Sequence, residues 1–402
     1  MLDNISLTSI FYTAGKTAGL LSFVSLSLLI ISGDMARFFD RYFGLDAIIK
    51  FQRKFATLIT VFVLSHPIFF MLSSGSILDY LIPDFSILPF AMGIVSFYIF
   101  LVIIIASKLY KKISHNTWQY LHVLTYILFF FALYHAFNWG SDADKIYIKG
   151  TYYLLLTGVI IGIVFRTQYK IRKLFAGKFR VESVRQETHD TYTIRIKPDK
   201  KVNFKAGQFG FIRLTKDKLH ARHPFTISSS PDKDYLDFTI KREGIFTQAS
   251  HKLSPGESIK LDIPFGKFLI KDNKKDLVFI AGGVGITPFM SMIDDHAYKN
   301  KNQKITLLYG CRKENDIIFK DRLDNISKDW LKKIYILSQE DKPISSREKG
   351  YIDQGIIEKH VGNIDNSLFY ICGPETMKNS VTKILKKLGV KNKDIIIEDF
   401  FW

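Results

Sequence analysis

Three histidines lie inside apolar runs: His66 in LSHP, and His122 and His135 at the two ends of HVLTYILFFFALYH. An ionisable side chain is costly in such a place and marks a candidate functional position. A neutral imidazole is a good axial ligand for haem iron, and a pair on facing helices holds that group with no open site. One such histidine alone also reads as a ring bonded to a helix carbonyl; three on two segments favour ligands. Later in the chain stand RHPFTISSS (Arg222 to Ser230), IKREGIFTQ (Ile240 to Gln248), DLVFIAGGVGITPFMSM, LLYGCR and YICGPETM. Taken singly these are a strand, a turn, a glycine turn opening a helix, and two strand ends. Glycine-rich turns offer backbone donors with little bulk to a phosphate, yet many α/β folds use one for packing alone.

These groups need two kinds of scaffold. Five runs approach the roughly 20 apolar residues of a bilayer crossing: about 17–33, 54–73, 87–107, 117–137 and 150–166. ISLTSIFY before them is too short to count as a span by itself, so the expectation is a membrane α-helical bundle of about five to six spans. The loop from Asp34 to Lys54 carries Arg37, Arg41, Lys50, Arg53 and Lys54, and Lys108, Lys111 and Lys112 follow Ser107. Both loops are therefore expected in the cytoplasm. The Ser74 to Ser86 loop has Asp79 and Asp84 and no Lys or Arg, so it is expected outside, and RTQYKIRK with all that follows inside. Trp118, Tyr120, Tyr134 and Trp139 bracket the fourth span as an interfacial belt.

From about Phe179 short alternating segments such as YTIRIK, FGFIRL and SIKLDI read as a small antiparallel β-barrel. From Asp276, DLVFI, KITLLYG, KIYILS and SLFYICG alternate with helical stretches, a parallel α/β domain. The division expected is 1–170 for the bundle, 175–272 for the barrel and 273–402 for the α/β domain. The 402 residues carry a net charge of +18, spread without an aromatic-interleaved basic stripe, which argues against nucleic acid. Cys311 and Cys372 are the only cysteines and have no metal-ligand neighbours in sequence, so neither zinc nor a disulfide is expected. No basic flank and small-residue cleavage site surround the first apolar run, so no cleavable signal peptide is expected.

In this order the motifs resemble the ferric reductase and NADPH oxidase family, over nearly the whole chain from about Gly19 to Trp402. The resemblance implies a plasma-membrane, multi-pass flavocytochrome: a haem-binding bundle followed by a ferredoxin-NADP reductase-like module in the cytoplasm. The family holds two stacked b-type haems with one histidine pair fourteen apart and another thirteen apart. His122 and His135 match the second pair; His66 matches one member of the first, but Gln52 stands fourteen positions before it. A fourteen-residue step leaves two side chains roughly 40° apart and about 21 Å along a helix, whereas thirteen leaves them about 220° out of phase. One haem b between His66 and His135, toward the outer side, is thus expected. The inner position, with His122 and Gln52, is either empty or holds a second haem by one histidine. His115 is a further candidate there, and by depth alone His66 could face His122.

The resemblance also implies that His223, Pro224, Phe225 and Thr226 line the isoalloxazine of FAD, with the Thr226 hydroxyl near its reactive nitrogen. Lys241, Gly244 and Thr247 fall where the family binds the pyrophosphate. Gly282, Gly283, Gly285, Thr287 and Pro288 match its nicotinamide-nucleotide pattern, with Cys372, Gly373 and Pro374 beside the nicotinamide. Arg312 could take a ribose 2′-phosphate, favouring NADPH over NADH, because guanidinium suits phosphate geometry. Phe400 matches a C-terminal aromatic that stacks on flavin, although Phe401 and Trp402 follow it. The activity implied is transfer of electrons from NAD(P)H through FAD and haem to dioxygen, giving superoxide, or to a ferric or cupric complex. An electron-delivery component of a membrane complex is the reading Gln52 leaves open. No calcium-binding loop or docking module is apparent, so no activating subunit is expected.

Overall fold

A computed structural model describes residues 7–109, 112, 115–174, 177–214, 221–271, 274–300, 303–340 and 347–399. Phe400 and the His115 side chain lie outside the described residues. The chain divides into two compact units, residues 1–175 and 176–402.

The first unit is helical: α1 (Leu7–Asp34), α2 (Ala36–Phe43), α3 (Leu45–Ser74), α4 (Leu88–Lys108), α5 (His115–Trp139) and α6 (Ile146–Leu174). Among the described residues, five helices are long and apolar enough to cross a membrane. LTSIFY, the described part of ISLTSIFY, belongs to the start of α1 and forms no separate span, because nothing in it breaks a helix that runs on through Gly15 and Gly19. The basic loop is also shorter than its charges imply. Gly44, at φ 83°, ends α2, the Asp40 carboxylate accepts from the Leu45 amide at 2.8 Å, and α3 begins there. Lys50, Arg53 and Lys54 therefore sit on a helix, whose edge tolerates long basic side chains that reach toward water. Phe23, Ile30, Ile59, Phe100, Phe129, Leu133 and Val159 form the packed interior, while Val61, Ile68, Leu72, Val102, Ile105, Leu154 and Ile161 are exposed. Such an apolar exterior fits a lipid surrounding.

The second unit holds two sheets. The strands β1 (Phe179–Gln186), β2 (Thr191–Pro198), β3 (Phe209–Arg213), β4 (His223–Thr226), β5 (Leu236–Lys241) and β6 (Ser258–Phe265) run in the order β4-β3-β6-β1-β2-β5. All pairings are antiparallel, and a bridge from Ile227 to Phe238 brings the end of β4 onto β5, which closes the barrel. Val181, Ile194, Ile196, Ile212, Phe238 and Leu261 fill its interior. The helix α7 (Ile245–His251) follows β5.

The other sheet has β7 (Asp276–Gly282), β8 (Ile305–Cys311), β9 (Leu331–Leu337), β10 (Glu348–Lys349), β11 (Ser367–Cys372) and β12 (Ile395–Ile397), parallel throughout, in the order β10-β9-β8-β7-β11-β12. The helices α8 (Thr287–Tyr298), α9 (Lys320–Asp324), α10 (Gln354–His360) and α11 (Glu375–Lys387) connect its strands. The order reverses between β7 and β11, and open α/β sheets take ligands at the carboxyl ends of strands at such a reversal.

Candidate functional site

Within the bundle, α1 packs along α3 and α4 along α5. The His66 Nδ1 lies 2.8 Å from the Gly15 carbonyl, and the His135 Nδ1 lies 3.0 Å from the Pro89 carbonyl. A carbonyl only accepts, so each ring donates from Nδ1 and keeps its Nε2 lone pair for another partner. The two ring centroids are 6.3 Å apart with planes at 78°. An iron about 2 Å from one nitrogen of each ring separates the centroids by roughly 6–6.5 Å. Both rings occupy space that glycine leaves: a Cβ on Gly19 would come within 2.6 Å of His66, and one on Gly93 within 2.5 Å of His135. By donor chemistry, spacing and cradle these residues fit a bis-imidazole haem.

The inner position is built differently. The Gln52 amide donates to Ser32 Oγ at 3.2 Å, and Gly33, fourteen residues after Gly19, stands beside it. The His122 side chain is exposed in the bundle. One turn further along α5, Tyr126 donates to Asp34 Oδ1 at 2.7 Å, and Arg166 donates to the same oxygen at 2.9 Å and to Tyr126 at 2.8 Å. Asp34 is buried, so this three-residue network joins α1, α5 and α6 without placing an unpaired charge in the bundle. It carries no signal in sequence, because its members lie far apart along the chain.

In the barrel, β4 carries His223, Pro224, Phe225 and Thr226 on the edge paired with β3, and Thr226 is buried. Phe246, the second residue of α7, belongs to no motif position singled out in the sequence, yet its ring lies 4.0 Å from that of His223 and stacks at 5.9 Å on Phe225. Burial holds the His223 imidazole below its ordinary pKa, which keeps it neutral. At the turn into α7 the amides of Glu243 and Gly244 donate to Thr247 Oγ1, both at 2.9 Å, so the Thr247 hydroxyl shapes the turn. Lys241 lies 3.5 Å from Glu243 and 3.9 Å from Asp190, loose pairs that leave its ammonium able to meet an anion. Further on, the Ser229 carbonyl accepts from Ser291 Oγ at 2.6 Å, tying the segment after β4 to helix α8.

There the glycine turn after β7 nests against the CGP turn after β11. A Cβ on Gly282 would meet Met377 and Pro374 at 2.8 Å, and one on Gly285 would collide with the Cys372 carbonyl. Gly283 has φ 53°, a conformation glycine adopts freely. Tyr309, buried and marked by no spacing in the sequence, donates to the Gly283 carbonyl at 3.0 Å and so fixes the turn from β8. Thr287 and Pro288 open α8, and Thr287 Oγ1 donates to the Val284 carbonyl at 3.0 Å. Cys372 ends β11 fully buried, and burial, then Glu398, push its thiol well above the ordinary range, so it stands protonated. Arg312 follows β8 with an exposed side chain.

Three families match successive segments: a ferric reductase like transmembrane component over residues 18–133, an FAD-binding domain over 177–306, and an oxidoreductase NAD-binding domain over 279–383. The chain has the architecture of ferric reductase and NADPH oxidase-like proteins. Its soluble part is similar to the FAD/NAD-binding domain of Vibrio cholerae nitric oxide dioxygenase (TM-score 0.51, 23% identity, 56% of this chain and 99% of that one). A ferredoxin NADP+ reductase from Neisseria gonorrhoeae matches similarly (TM-score 0.50, 22% identity, 55% and 97%). At these identities the likeness establishes the reductase-type fold. Among curated relatives, one component of the Na(+)-translocating NADH-quinone reductase of Neisseria meningitidis is 33% identical over 155 residues, 37% of this chain and 38% of that protein. The flavohemoprotein of Oceanobacillus iheyensis is 25% identical over 238 residues, 55% of this chain and 58% of that protein. The chain thus spans less than two thirds of the length of these relatives. The chain joins the FAD-binding and NAD-binding domains of an oxidoreductase to a ferric reductase like transmembrane component with, among the described residues, five helices long and apolar enough to cross a membrane.

Proposed function

We propose that the chain oxidises NAD(P)H on the cytoplasmic side of the membrane and delivers the electrons through the His66–His135 position to dioxygen outside, giving superoxide. The observation that carries this reading is the pair of imidazoles 6.3 Å apart, each with Nδ1 committed to a main-chain carbonyl. Two such ligands leave no open position for an acceptor to bind, which favours outer-sphere, one-electron reduction. Bound FAD would accept a hydride and release single electrons, and haem b would carry them across. One NADPH and two dioxygen molecules then give NADP+, one proton and two superoxide ions.

The residues have separable tasks. His223, Pro224, Phe225 and Thr226 line the isoalloxazine, with Phe246 backing His223 and Phe225. Lys241, Gly244 and Thr247 present charge and backbone to the pyrophosphate. Gly282, Gly283 and Gly285 admit the nucleotide phosphates at the start of α8, where backbone donors point outward. Cys372, with Gly373 and Pro374, positions the nicotinamide for transfer, and Arg312 binds a 2′-phosphate, making NADPH the preferred donor over NADH. Phe400 stacks on the flavin until the nicotinamide displaces it. His122 and Gln52 hold no second haem in this reading.

Orientation follows from charge. Arg37, Arg41, Lys50, Arg53, Lys54, Lys108 and Lys112 share one end of the bundle, and Arg37 sits 4.8 Å over the Tyr169 ring of α6. The chain beyond α6 leaves from this basic end, the cytoplasmic one by the positive-inside rule.

Reduction of ferric or cupric chelates is the second reading, favoured by the description of the matched membrane family. Of the acids on the opposite loops, Asp142 is bound by Lys16 and Lys145, which already match its charge, and Asp84 accepts from the Ser86 amide at 2.9 Å through one oxygen. Gln52 favours a third reading, an electron-delivery component of a larger complex, which predicts no acceptor reduction by the purified chain. Dye reduction by membranes containing the protein, with and without superoxide dismutase, separates the first two. Inhibition by the dismutase is expected; dismutase-resistant reduction of a ferric chelate in the same sample would replace dioxygen as acceptor.

A further inference from the structure

One helical turn beyond each of His66 and His135, away from the basic end of the bundle, stands an aromatic ring. Phe70 follows His66 by four residues on α3 and meets it edge-on, with centroids 5.2 Å apart; Trp139 follows His135 by four on α5. Four residues advance a helix by about 6 Å and keep nearly the same face. Two further rings join these. Tyr80 stacks on Phe70 at 6.1 Å and meets Phe90 edge-on at 5.6 Å, and Phe90 lies 5.5 Å from Trp139. Phe70, Tyr80, Phe90 and Trp139 therefore form a continuous arc from one ligand helix to the other. No spacing in the sequence marks it, because its rings come from α3, α4, α5 and a loop.

The loop between α3 and α4 brings Tyr80 into the arc. Leu78–Tyr80 forms a single 3-10 turn, and the Tyr98 hydroxyl, from a residue about 15 Å along α4, donates to the Leu81 carbonyl at 2.6 Å. That bond draws the loop back along α4. Tyr80 consequently packs between the rings of α3 and α4, while Ile77, Leu78 and Ile82 stand exposed. The cover over the two imidazoles is thus built of rings and edged with aliphatic side chains. A hydrated ion brought against such a surface loses water and gains no hydrogen bond in return.

We infer that this aromatic arc selects the electron acceptor by size and polarity: it roofs the His66–His135 position, admits dioxygen and holds off hydrated ferric or cupric chelates. The inference rests on the haem proposed between those histidines and names the class of acceptor the site takes. Dioxygen is small and apolar, and passes between side chains through gaps that their motion opens. A chelate is charged and larger than such gaps. Stopped above the roof, it stands a ring layer farther from the electron donor, and electron tunnelling falls steeply with distance. Tyr80 is the central member, because its ring touches those of both Phe70 and Phe90.

The test uses the full, purified, haem-loaded chain as wild type, Tyr80→Ala and Tyr80→Phe. Each is reduced anaerobically and mixed with dioxygen or with ferric EDTA while haem absorption is followed. Wild-type haem is expected to be reoxidised by dioxygen and only slowly by the chelate. Tyr80→Ala should raise the chelate rate about tenfold, since opening the roof removes part of the desolvation barrier, and leave the dioxygen rate at its wild-type value. Tyr80→Phe keeps the ring and should match wild type with both oxidants. A second readout needs no turnover: relaxation of the ferric haem EPR signal by an aqueous gadolinium chelate, expected to rise in Tyr80→Ala and not in Tyr80→Phe. If Tyr80→Ala does not retain haem, Phe90→Leu carries the same expectation. Equal gains toward dioxygen and chelate in Tyr80→Ala would mean general loosening and overturn selection by the roof. Chelates that reach the wild-type haem as readily as that of Tyr80→Ala, with dioxygen still reacting, overturn the roof alone. Reoxidation of the wild-type haem by the chelate and not by dioxygen overturns the dioxygen reading and the roof with it.

Discussion

At His66 and His135 the carbonyls of Gly15 and Pro89 decide which ring nitrogen is available, and they do so before any metal arrives. Outer partners of this kind orient ligands and raise their basicity. Gln52 has the opposite character: its amide bonds Ser32, so the residue serves as a link between α1 and α3. The histidines and Gln52 are legible from spacing once the resemblance is in hand, and the roughly 220° phase error of a thirteen-residue step is realised, since His135 turns onto Pro89 while His122 lies exposed. Phe246 and Tyr309 are not legible, because an aromatic after a glycine turn or in a strand looks like any core residue. At this scale Arg312 gives a sharp expectation. Arg312→Ala should raise the KM for NADPH at least tenfold, the loss of roughly 1.5 kcal/mol of charge-assisted bonding, and leave that for NADH unchanged. Steady-state kinetics with both nucleotides check it; equal changes for the two would remove Arg312 from the 2′-phosphate.

Among the elements, the barrel depends on a pair that alternation of hydrophobic residues cannot reveal. Arg195 of β2 and Asp237 of β5 face each other in register and form two bonds, 2.9 and 3.0 Å, with Asp237 fully buried. Beside them the hydroxyls of Thr193, Thr239 and Ser228 form a chain with spacings of 2.8 and 3.0 Å. Removing one partner of a buried pair strands the other charge, so Arg195→Ala should cost about 3 kcal/mol, the low end of the range because the arginine is partly exposed. The measurement is the temperature at which FAD fluorescence rises on release; a clear fall is expected, and no change would mean the pair is dispensable. Strand and helix types are readable from period and turn residues. The ends of α1 and α3 are not, since the polar and basic residues in both helices read as loop while Asp40 and Gly44, which set the start of α3, carry no apolar signal.

Over the whole molecule, a membrane bundle with one well-formed imidazole pair is joined to a reductase module whose glycine and CGP turns meet at a sheet reversal. The order of motifs makes this division legible, because each motif needs its own scaffold: apolar helices for the histidines, a barrel edge for RHPFT, a parallel sheet for the glycine turn. Everything proposed for the chain depends on electrons from NADPH reaching the position between His66 and His135. That is measured by anaerobic addition of NADPH to the purified, detergent-solubilised chain, following flavin and haem absorption together, with haem and FAD content determined on the same sample. One haem per FAD is expected, reduced within a single turnover, with loss of that haem in His66→Leu and in His135→Leu but not in His122→Leu. Flavin that bleaches while the haem stays oxidised, or haem retained without His66 and His135, would contradict it.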